Sequence, residues 1–284
     1  MFTGKTKNLA VMGWPVAHSL SPVLQMAAIQ QAGLDYAYIT LPVRPEDLED
    51  AVKGLRAMQF RGWNITIPHK QATMAYLDEV DEDARIIGAV NTIVNEDGRL
   101  KGYNTDFTGS MWGLLNRGFD PDGKKAVLLG AGGAARALIW GLIKHGIDSI
   151  CIGARNPAKV APLAQEFSKY TKVESMHWET DEFRAVLRDA DLLINTTPLG
   201  MAPKTEAMPP VDWADVKASA FVYDVIYTPL ETMFLRTARE NGHETLNGEA
   251  MLVGQGADSL KLWTGIEPDR AVMSHALHTA LTTK

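Results

Sequence analysis

The chain has 284 residues, of which 46% are hydrophobic and 22% charged, an ordinary composition for a globular protein long enough to form two domains. The net charge of −6 argues against a general binder of nucleic acid or of anionic membranes. The single cysteine excludes a disulfide framework, and no apolar run approaches the length of a membrane-spanning helix. We therefore expect a cytoplasmic protein with no membrane or nucleic-acid partner.

The N-terminal third of the chain predicts an α/β unit, because strand-like and amphipathic helical stretches alternate along it. Its predicted strands lie at 9–13, 36–43, 62–67, 90–94 and 99–103, the last two forming a hairpin. Its predicted helices cover 22–31, 45–58 and 69–77. Ser21 and Pro22 mark the start of the first helix as its N-cap and first residue. A further helix at 105–117 and the turn-rich segment 118–123 lead out of this unit.

From residue 124 the chain alternates regularly between strand and helix patterns, which predicts a doubly wound parallel sheet. The predicted strands are 125–129, 149–153, 172–177, 191–195 and 220–225. The predicted helices between them are 133–145, 157–168 and 181–189. Two more predicted helices, at 249–264 and 268–281, follow the sheet.

A glycine cluster, Gly130-Ala-Gly-Gly-Ala-Ala135, lies where the first of these strands meets the following helix. It has the G-x-G-x-x-A spacing of a dinucleotide-binding turn. Gly130 permits the tight turn, Gly132 lets a pyrophosphate approach the backbone, and Ala135 allows the helix to pack closely on the strand. The free N–H groups at the start of the helix also favour phosphate. The segment therefore predicts a dinucleotide site.

The second strand of this sheet ends without the acidic residue that typically binds the ribose of NAD. The chain has Ala154-Arg-Asn-Pro-Ala-Lys159 there, and the guanidinium fork of Arg155 suits the 2′-phosphate of NADP. We therefore expect NADP rather than NAD as the cofactor. The alternative is that Arg155 and Lys159 only form the solvated start of a helix.

The segment Asn64-Ile-Thr-Ile-Pro-His-Lys70 carries candidate catalytic residues of the first unit. Its strand places Asn64 and Thr66 on one face, and Lys70 follows in the first turn of the predicted helix. The helix dipole lowers the pKa of a lysine in that place, which suits a general base. The alternatives are a plain surface lysine and catalysis by His69.

A second segment, Gly102-Tyr-Asn-Thr-Asp106, places a carboxylate where the hairpin leads into a helix, although Asp106 could also be a simple first-turn acid. Ser19 and Ser21 put two hydroxyl groups near the start of the first helix. They suit a ligand carboxylate, or they only cap that helix. The histidines show no spacing typical of a metal site, so we expect no metal.

Together these stretches resemble the shikimate dehydrogenase family, with the motifs in the family's order from about residue 8 to 265. Further motifs of the resemblance are Gly88-Ala-Val-Asn91-Thr92, Asn195-Thr-Thr-Pro-Leu-Gly200-Met201, Asp224-Val-Ile-Tyr227 and Asn247-Gly-Glu-Ala-Met-Leu-Val-Gly-Gln255. The chain departs from the family at Ala154 and Asn156, where Asn and Thr usually flank the arginine. It also has Gly256 where the family often has alanine.

The resemblance implies an N-terminal α/β substrate-binding and catalytic domain over 1–106 and a doubly wound Rossmann NADP-binding domain over 107–243. It implies C-terminal helices over 244–284 that return to the substrate domain. The implied activity is the reversible, NADPH-dependent reduction of 3-dehydroshikimate to shikimate, on the route to chorismate and the aromatic amino acids. The implied partners are small molecules only, in a monomer or a homodimer.

The resemblance also implies roles for individual residues. Lys70 and Asp106 would form the catalytic pair at the reacting hydroxyl group. The substrate would be held by Ser19, Ser21, Thr66, Asn91, Tyr227 and Gln255. The cofactor would be held by Gly130, Ala131, Gly132, Gly133, Ala134, Ala154, Arg155, Asn156, Lys159, Val225 and Gly248.

Three other functions stay open at this point. A quinate/shikimate or amino-shikimate dehydrogenase would share the fold, and the sequence does not measure the space for quinate's additional hydroxyl group. A non-catalytic sensor of the same ligands is disfavoured by the presence of both Lys70 and Asp106. A folate or amino-acid dehydrogenase with a similar two-domain plan is disfavoured by Ser19 and Ser21.

Overall fold

The computed structural model describes residues 2–283, and the chain forms two compact units. One unit combines the residues up to 109 with those from 252 onward, and the other covers 110–251. Both divisions fall later in the chain than the expected boundaries at 106/107 and 243/244. Asn91 holds the start of the next helix in the first unit through hydrogen bonds to Thr105 and Asp106.

Strands and helices alternate along most of the described chain. The strands are β1 Lys7–Gly13, β2 Tyr36–Pro42, β3 Gly62–Ile65, β4 Glu79–Val80, β5 Thr92–Glu96, β6 Arg99–Tyr103, β7 Lys125–Leu129, β8 Ser149–Ala154, β9 Lys172–His177, β10 Leu192–Asn195, β11 Phe221–Asp224 and β12 Thr245–Leu246. The α-helices are α1 Ser21–Gln31, α2 Leu48–Ala57, α3 Glu82–Ile87, α4 Asp106–Asn116, α5 Ala135–Lys144, α6 Pro157–Phe167, α7 Asp181–Leu187, α8 Met233–Glu240, α9 Glu249–Thr264 and α10 Arg270–Thr282. No helix within 2–283 combines the length and the apolar character needed to cross a bilayer.

The first unit is built on a mixed six-stranded sheet with the order β2-β1-β3-β5-β6-β4. β1 runs parallel to β2 and β3, whereas β5 is antiparallel to β3 and β6. β3 is buried along its whole length and supplies Trp63 and Ile65 to the core, where Val52 and Leu55 of α2 pack against the same cluster. The burial of β3 on both faces explains its largely apolar sequence.

The second unit contains a six-stranded parallel sheet with the order β12-β11-β10-β7-β8-β9. The predicted doubly wound sheet is thereby confirmed. The chain builds outward from β7 in one direction with β8 and β9 and then in the other with β10, β11 and β12. The carboxyl end of β7 is therefore the switch point at which such sheets bind ligands.

The helix predicted over 69–77 is wrong. β3 ends at Ile65, the chain turns, and only a short 3-10 helix forms over Ala72–Tyr76. The backbone carbonyl of Lys70 accepts a hydrogen bond from the Val90 N–H at 2.8 Å. In an α-helix through this segment, that carbonyl would accept a hydrogen bond from the N–H group four residues later. The long-range bond from Val90 takes the place of this helical bond, so no α-helix forms here.

Candidate functional site

An ion pair between Lys70 and Asp106 forms the centre of the candidate site in the first unit. Lys70 Nζ lies 2.5 Å from Asp106 Oδ2, and the two side chains are 21% and 8% exposed. Lys70 is in the turn that follows β3, and Asp106 is the first residue of α4. The fold thus brings together two residues that are far apart in sequence.

The second carboxylate oxygen of Asp106 has a partner of its own. Asn91 Nδ2 donates to Asp106 Oδ1 at 2.9 Å, while Asn91 Oδ1 accepts from the Thr105 N–H at 2.7 Å. The backbone N–H of Asp106 donates to Asn104 Oδ1 at 3.0 Å. These bonds fix the plane of the carboxylate, so that Oδ2 is directed at the ammonium group.

The helix-dipole argument for Lys70 is wrong, because the residue precedes a 3-10 helix rather than entering an α-helix. Its ammonium group is instead paired with a partly desolvated carboxylate. His69, the alternative acid–base residue, is 1% exposed, and its Nε2 lies 2.7 Å from the carbonyl oxygen of Val43. A backbone carbonyl thus occupies the histidine, whereas the lysine has a titratable partner.

A buried polar network extends from Asn91 toward α9. Tyr38 Oη donates to Asn64 Oδ1 at 2.7 Å, and Asn64 Nδ2 donates to the carbonyl oxygen of Asn91 at 3.1 Å and to Ser259 Oγ at 3.0 Å. Ser259 Oγ donates to the carbonyl oxygen of Gln255 at 2.8 Å. β2, β3, α9 and the segment before β5 are therefore connected by hydrogen bonds inside the first unit.

Ser19 and Ser21 are placed at the other end of this network. The helix begins at Ser21 with Leu20 as N-cap, so the predicted capping role of Ser21 is wrong. The Ser21 N–H instead donates to Ser19 Oγ at 3.3 Å. Burial raises the pKa of Tyr38 above its ordinary value, against the opposing effect of a hydrogen bond with Ser21. The Tyr38 hydroxyl thus links Ser21 to Asn64.

Sequence reasoning assigned no role to four members of this network, namely Tyr38, Thr92, Thr105 and Ser259. One signal was available for Ser259, because it follows Gln255 by one helical turn and so shares its face of α9. Tyr38 gave no comparable signal, since a tyrosine in an alternating strand is ordinary. Thr66, a predicted substrate-binding residue, is half-buried just after β3.

The glycine turn of the second unit lies at the carboxyl end of β7. A Cβ atom on Gly132 would lie 2.1 Å from the carbonyl oxygen of Thr196, and one on Gly130 would lie 2.4 Å from Thr197 Cγ2. Gly130 also has a φ of +83°, which favours glycine. α5 starts directly afterwards, and its N-cap, Ala134, provides no side-chain hydrogen bond. The first N–H groups of α5 are thus not capped by a side chain and suit an anion.

Two cationic side chains follow the end of β8, the strand that pairs with β7. Arg155 and Lys159 are exposed, and neither forms an ion pair with another residue of the described chain. Asn156 is the N-cap of α6 and likewise makes no capping bond with its side chain. Ala154 ends β8 and is buried. The segment therefore offers positive charge and unused donors without a protein acceptor.

Three further predicted residues lie beyond the ends of β11 and β12. A Cβ atom on Gly248 would lie 2.1 Å from the carbonyl oxygen of Val225, so the two segments touch through their backbones. Tyr227 belongs to the same stretch as Val225, and burial raises the pKa of its hydroxyl. The tyrosine therefore keeps its proton at neutral pH. Residues 2–283 contain no group of three or more His, Cys, Asp or Glu side chains that could hold a metal.

Comparison with known proteins covers almost the whole chain. Residues 11–93 match the model of the shikimate dehydrogenase substrate binding domain, and residues 114–202 match that of shikimate / quinate 5-dehydrogenase. Residues 248–278 match the shikimate 5'-dehydrogenase C-terminal domain.

Individual relatives agree with these matches. The shikimate dehydrogenase (NADP(+)) of Moorella thermoacetica is 45% identical over 97% of this chain and 94% of its own length. The Thermus thermophilus shikimate 5-dehydrogenase, solved in complex with NADP(H) and shikimate, has a TM-score of 0.88 and 36% identity, covering 97% of this chain and 100% of its own. A 5-ketofructose reductase of Gluconobacter has a TM-score of 0.90 and 35% identity, covering 98% and 100%. The resemblance predicted from the motifs is confirmed: the chain belongs to the shikimate dehydrogenase family.

Proposed function

We propose that the protein catalyses the reversible reduction of 3-dehydroshikimate to shikimate with NADPH. The observation that carries this proposal is the Lys70–Asp106 ion pair, held by Asn91, in a chain closely similar to NADP-dependent shikimate dehydrogenases. A sensor that only binds the same ligands has no need of a titratable pair fixed in this way.

The chemistry requires a proton at the carbonyl oxygen of the substrate. NADPH, when bound, supplies the hydride for the carbonyl carbon. Lys70 Nζ donates the proton to the developing alkoxide oxygen and takes it back during shikimate oxidation. Asp106 Oδ2 orients the ammonium group and stabilises its charge, and Asn91 keeps that oxygen directed at Lys70. The pair thus supplies and recovers the proton at one fixed place.

Polar side chains are proposed to recognise the substrate. We assign the substrate carboxylate to Ser19 and Ser21, which present two hydroxyl groups at the start of α1. We assign the substrate's hydroxyl and carbonyl groups to the other predicted binding residues, Thr66, Asn91, Tyr227 and Gln255. A neutral Tyr227 suits this role, since its hydroxyl can both donate and accept.

The residues of the second unit fit NADP. Gly130 and Gly132 keep the turn free of side chains where it packs against Thr196 and Thr197, and the N–H groups at the start of α5 are not capped by a side chain, so the turn suits a pyrophosphate. The residues proposed for the adenosine ribose and its 2′-phosphate are Ala154, Arg155, Asn156 and Lys159. Val225 and Gly248 are proposed for the nicotinamide end.

Replacing Arg155 with alanine is expected to raise the KM for NADP about tenfold or more and to leave the KM for NAD nearly unchanged. The reason is that NAD lacks the 2′-phosphate, and a hydrogen bond to a charged group is worth roughly 1.5–3 kcal/mol. Steady-state kinetics with both cofactors measures the effect. Arg239→Ala serves as the matched control, because Arg239 is an exposed arginine of α8 that forms an ion pair with Glu231. An equal rise in both KM values would contradict the assignment.

The proposed identity of the substrate is tested in both directions of the reaction. Initial rates of oxidation are measured for shikimate and for quinate, each with NADP and with NAD. Initial rates of NADPH oxidation are measured with 3-dehydroshikimate and with 5-ketofructose. We expect shikimate with NADP, and 3-dehydroshikimate with NADPH, to give the highest kcat/KM. The 5-ketofructose comparison is included because a reductase of that sugar shares this fold. A higher kcat/KM with quinate or with 5-ketofructose would overturn the proposed substrate.

A further inference from the structure

Asp224, the last residue of β11, is a buried carboxylate for which the proposed reaction has no role. Its side chain is 0% exposed, and no cation of residues 2–283 forms an ion pair with it. Burial raises the pKa of Asp224 to about 6, against the hydrogen bonds from Thr232, Ile226 and Asn195, which lower it. A buried carboxylate without a counter-charge is costly, so a packing role alone does not explain it.

One set of Asp224's bonds leads to the glycine turn. Asn195 Nδ2 donates to both carboxylate oxygens at 3.2 Å, which fixes the orientation of the amide. Asn195 Oδ1 is therefore free to accept from the Thr197 N–H at 2.9 Å and from Thr197 Oγ1 at 2.7 Å. The neighbouring Thr196 Oγ1 donates to the carbonyl oxygen of Gly130 at 2.9 Å. The segment 196–197 thus packs directly on the turn proposed for the pyrophosphate.

A second bond leads to the stretch proposed for the nicotinamide. The Ile226 N–H donates to Asp224 Oδ1 at 3.0 Å. The carbonyl oxygen of Ile226 accepts from the Gly248 N–H at 2.9 Å, and Gly248 also touches the backbone of Val225. The conformation of residues 225–227 and of Gly248 therefore depends on the same carboxylate.

We infer that Asp224 is a positioning residue for the cofactor, which sets the glycine turn through Asn195 and the 225–248 contact through Ile226. Because its side chain is fully buried, it acts through Asn195 and Ile226 rather than by direct contact. The inference rests on the proposed NADP site, and it identifies one buried group that determines the geometry at both the pyrophosphate and the nicotinamide.

The variant Asp224→Asn tests this inference through the polarity of its hydrogen bonds. An asparagine at position 224 has one acceptor oxygen where the aspartate has two. If that oxygen accepts from Ile226, its NH2 group takes the place of Oδ2 and faces Thr232 Oγ1 and the NH2 group of Asn195. The NH2 group of Asn195 then meets a donor at one of its two contacts, which favours a rotated amide whose carbonyl oxygen no longer accepts from Thr197. The exchange variant Asn195→Asp/Asp224→Asn places the acceptor oxygens at position 195, where they accept from the amide introduced at position 224 and from Thr197. It loses the bond from residue 195 to the carbonyl oxygen of Leu199 and the bond that Thr232 donates to Asp224 Oδ2.

The measurement is the Kd for NADPH, obtained by fluorescence titration of the full-length protein without substrate, together with the Tm. We expect Asp224→Asn to raise the Kd at least about tenfold, in line with the loss of two hydrogen bonds. We expect the exchange variant to recover most of that loss. Asp215→Asn is the matched control, because Asp215 is a buried carboxylate of the same unit whose ion-pair partners are Arg184 and Arg188 rather than residues next to the glycine turn. It is expected to lower the Tm and to keep the Kd within about twofold.

An unchanged Kd in Asp224→Asn, or an exchange variant no better than Asp224→Asn, would overturn the inference. If Asp224→Asn does not fold, Thr197→Val replaces it, since this change keeps the carboxylate and the side-chain shape and removes the hydroxyl bond to Asn195 together with the bond from the Leu199 N–H. Thr197→Val is expected to raise the Kd several-fold, and an unchanged Kd would again overturn the inference. A wild-type protein that does not bind NADPH would instead overturn the proposed function, and this inference with it.

Discussion

Lys70→Ala is expected to lower kcat by at least about 100-fold, since general acid–base catalysis typically contributes 10²–10⁴-fold. The variant removes the ammonium group that lies 2.5 Å from Asp106 Oδ2 and leaves that carboxylate fixed by Asn91. Steady-state kinetics in both directions measures kcat and KM, while NADPH titration and thermal unfolding show whether the variant still binds cofactor and folds. We expect the Kd for NADPH to stay within about twofold of the wild-type value.

The double variant Lys70→Ala/Asp106→Ala is expected to be little worse than the worse single variant, because residues that act as one unit have non-additive effects. Lys101→Ala is the matched control, since Lys101 forms an ion pair of similar length with Glu79, also at 2.5 Å, on the surface of the same unit. It is expected to leave kcat within about twofold. A Lys70→Ala variant that keeps its kcat and changes only KM would show a binding role, and multiplicative single effects would show two independent roles.

Gly132→Ala is expected to raise the Kd for NADPH about 10- to 100-fold and to lower the Tm, because overpacking typically costs roughly 1–3 kcal/mol. The added methyl group would lie 2.1 Å from the carbonyl oxygen of Thr196, and both groups are attached directly to backbone. The turn or the segment after β10 must therefore move, which changes the space for the pyrophosphate. NADPH titration and thermal unfolding measure the two effects.

The same chemical change at Gly54 provides the control for Gly132→Ala. Gly54 lies within α2, and its nearest neighbour for an added Cβ atom is Met58 Cε at 3.8 Å. Gly54→Ala is therefore expected to leave the Kd unchanged and to raise the Tm slightly, because alanine is more favourable than glycine within a helix by up to about 1 kcal/mol. A Gly132→Ala variant with the Kd of the wild type would show that this glycine is not required for cofactor binding.

The elements with strong periodicity were predictable from sequence, and the misses have physical reasons. The apolar run before Gly130 and the helix after it form β7 and α5 with nearly the predicted bounds. The helix predicted at Lys70 is wrong because Lys70 forms a hydrogen bond with Val90, which is distant in sequence. The periodicity of the residues around Lys70 gives no sign of that bond. α8 was missed although Thr232 caps it and Phe234, Leu235 and Ala238 form its buried face, a signal present in the sequence. β4 and β12 have two residues each, too few for any periodicity.

The candidate site was predictable only where a residue type and a motif together suggest a ligand. Lys70 and Asp106 were identified in this way, and their contact could not have been read from spacing alone. Ser259 and Tyr38 were missed, because polar groups buried inside a network show their role only once the strands and α9 are placed. Asp224 was seen only as part of a motif, and its hydrogen bonds to two loops became visible only in the folded structure.

The proton-transfer role of Lys70 is tested most directly by the single-turnover rate of NADPH formation from shikimate and excess wild-type or Lys70→Ala enzyme with saturating NADP. A single turnover separates the chemical step from product release, and saturation removes effects on binding. We expect the variant to form NADPH at least about 100-fold more slowly than the wild type. A variant that forms NADPH at the wild-type rate in the first turnover would contradict the assignment of Lys70 as the group that moves the proton.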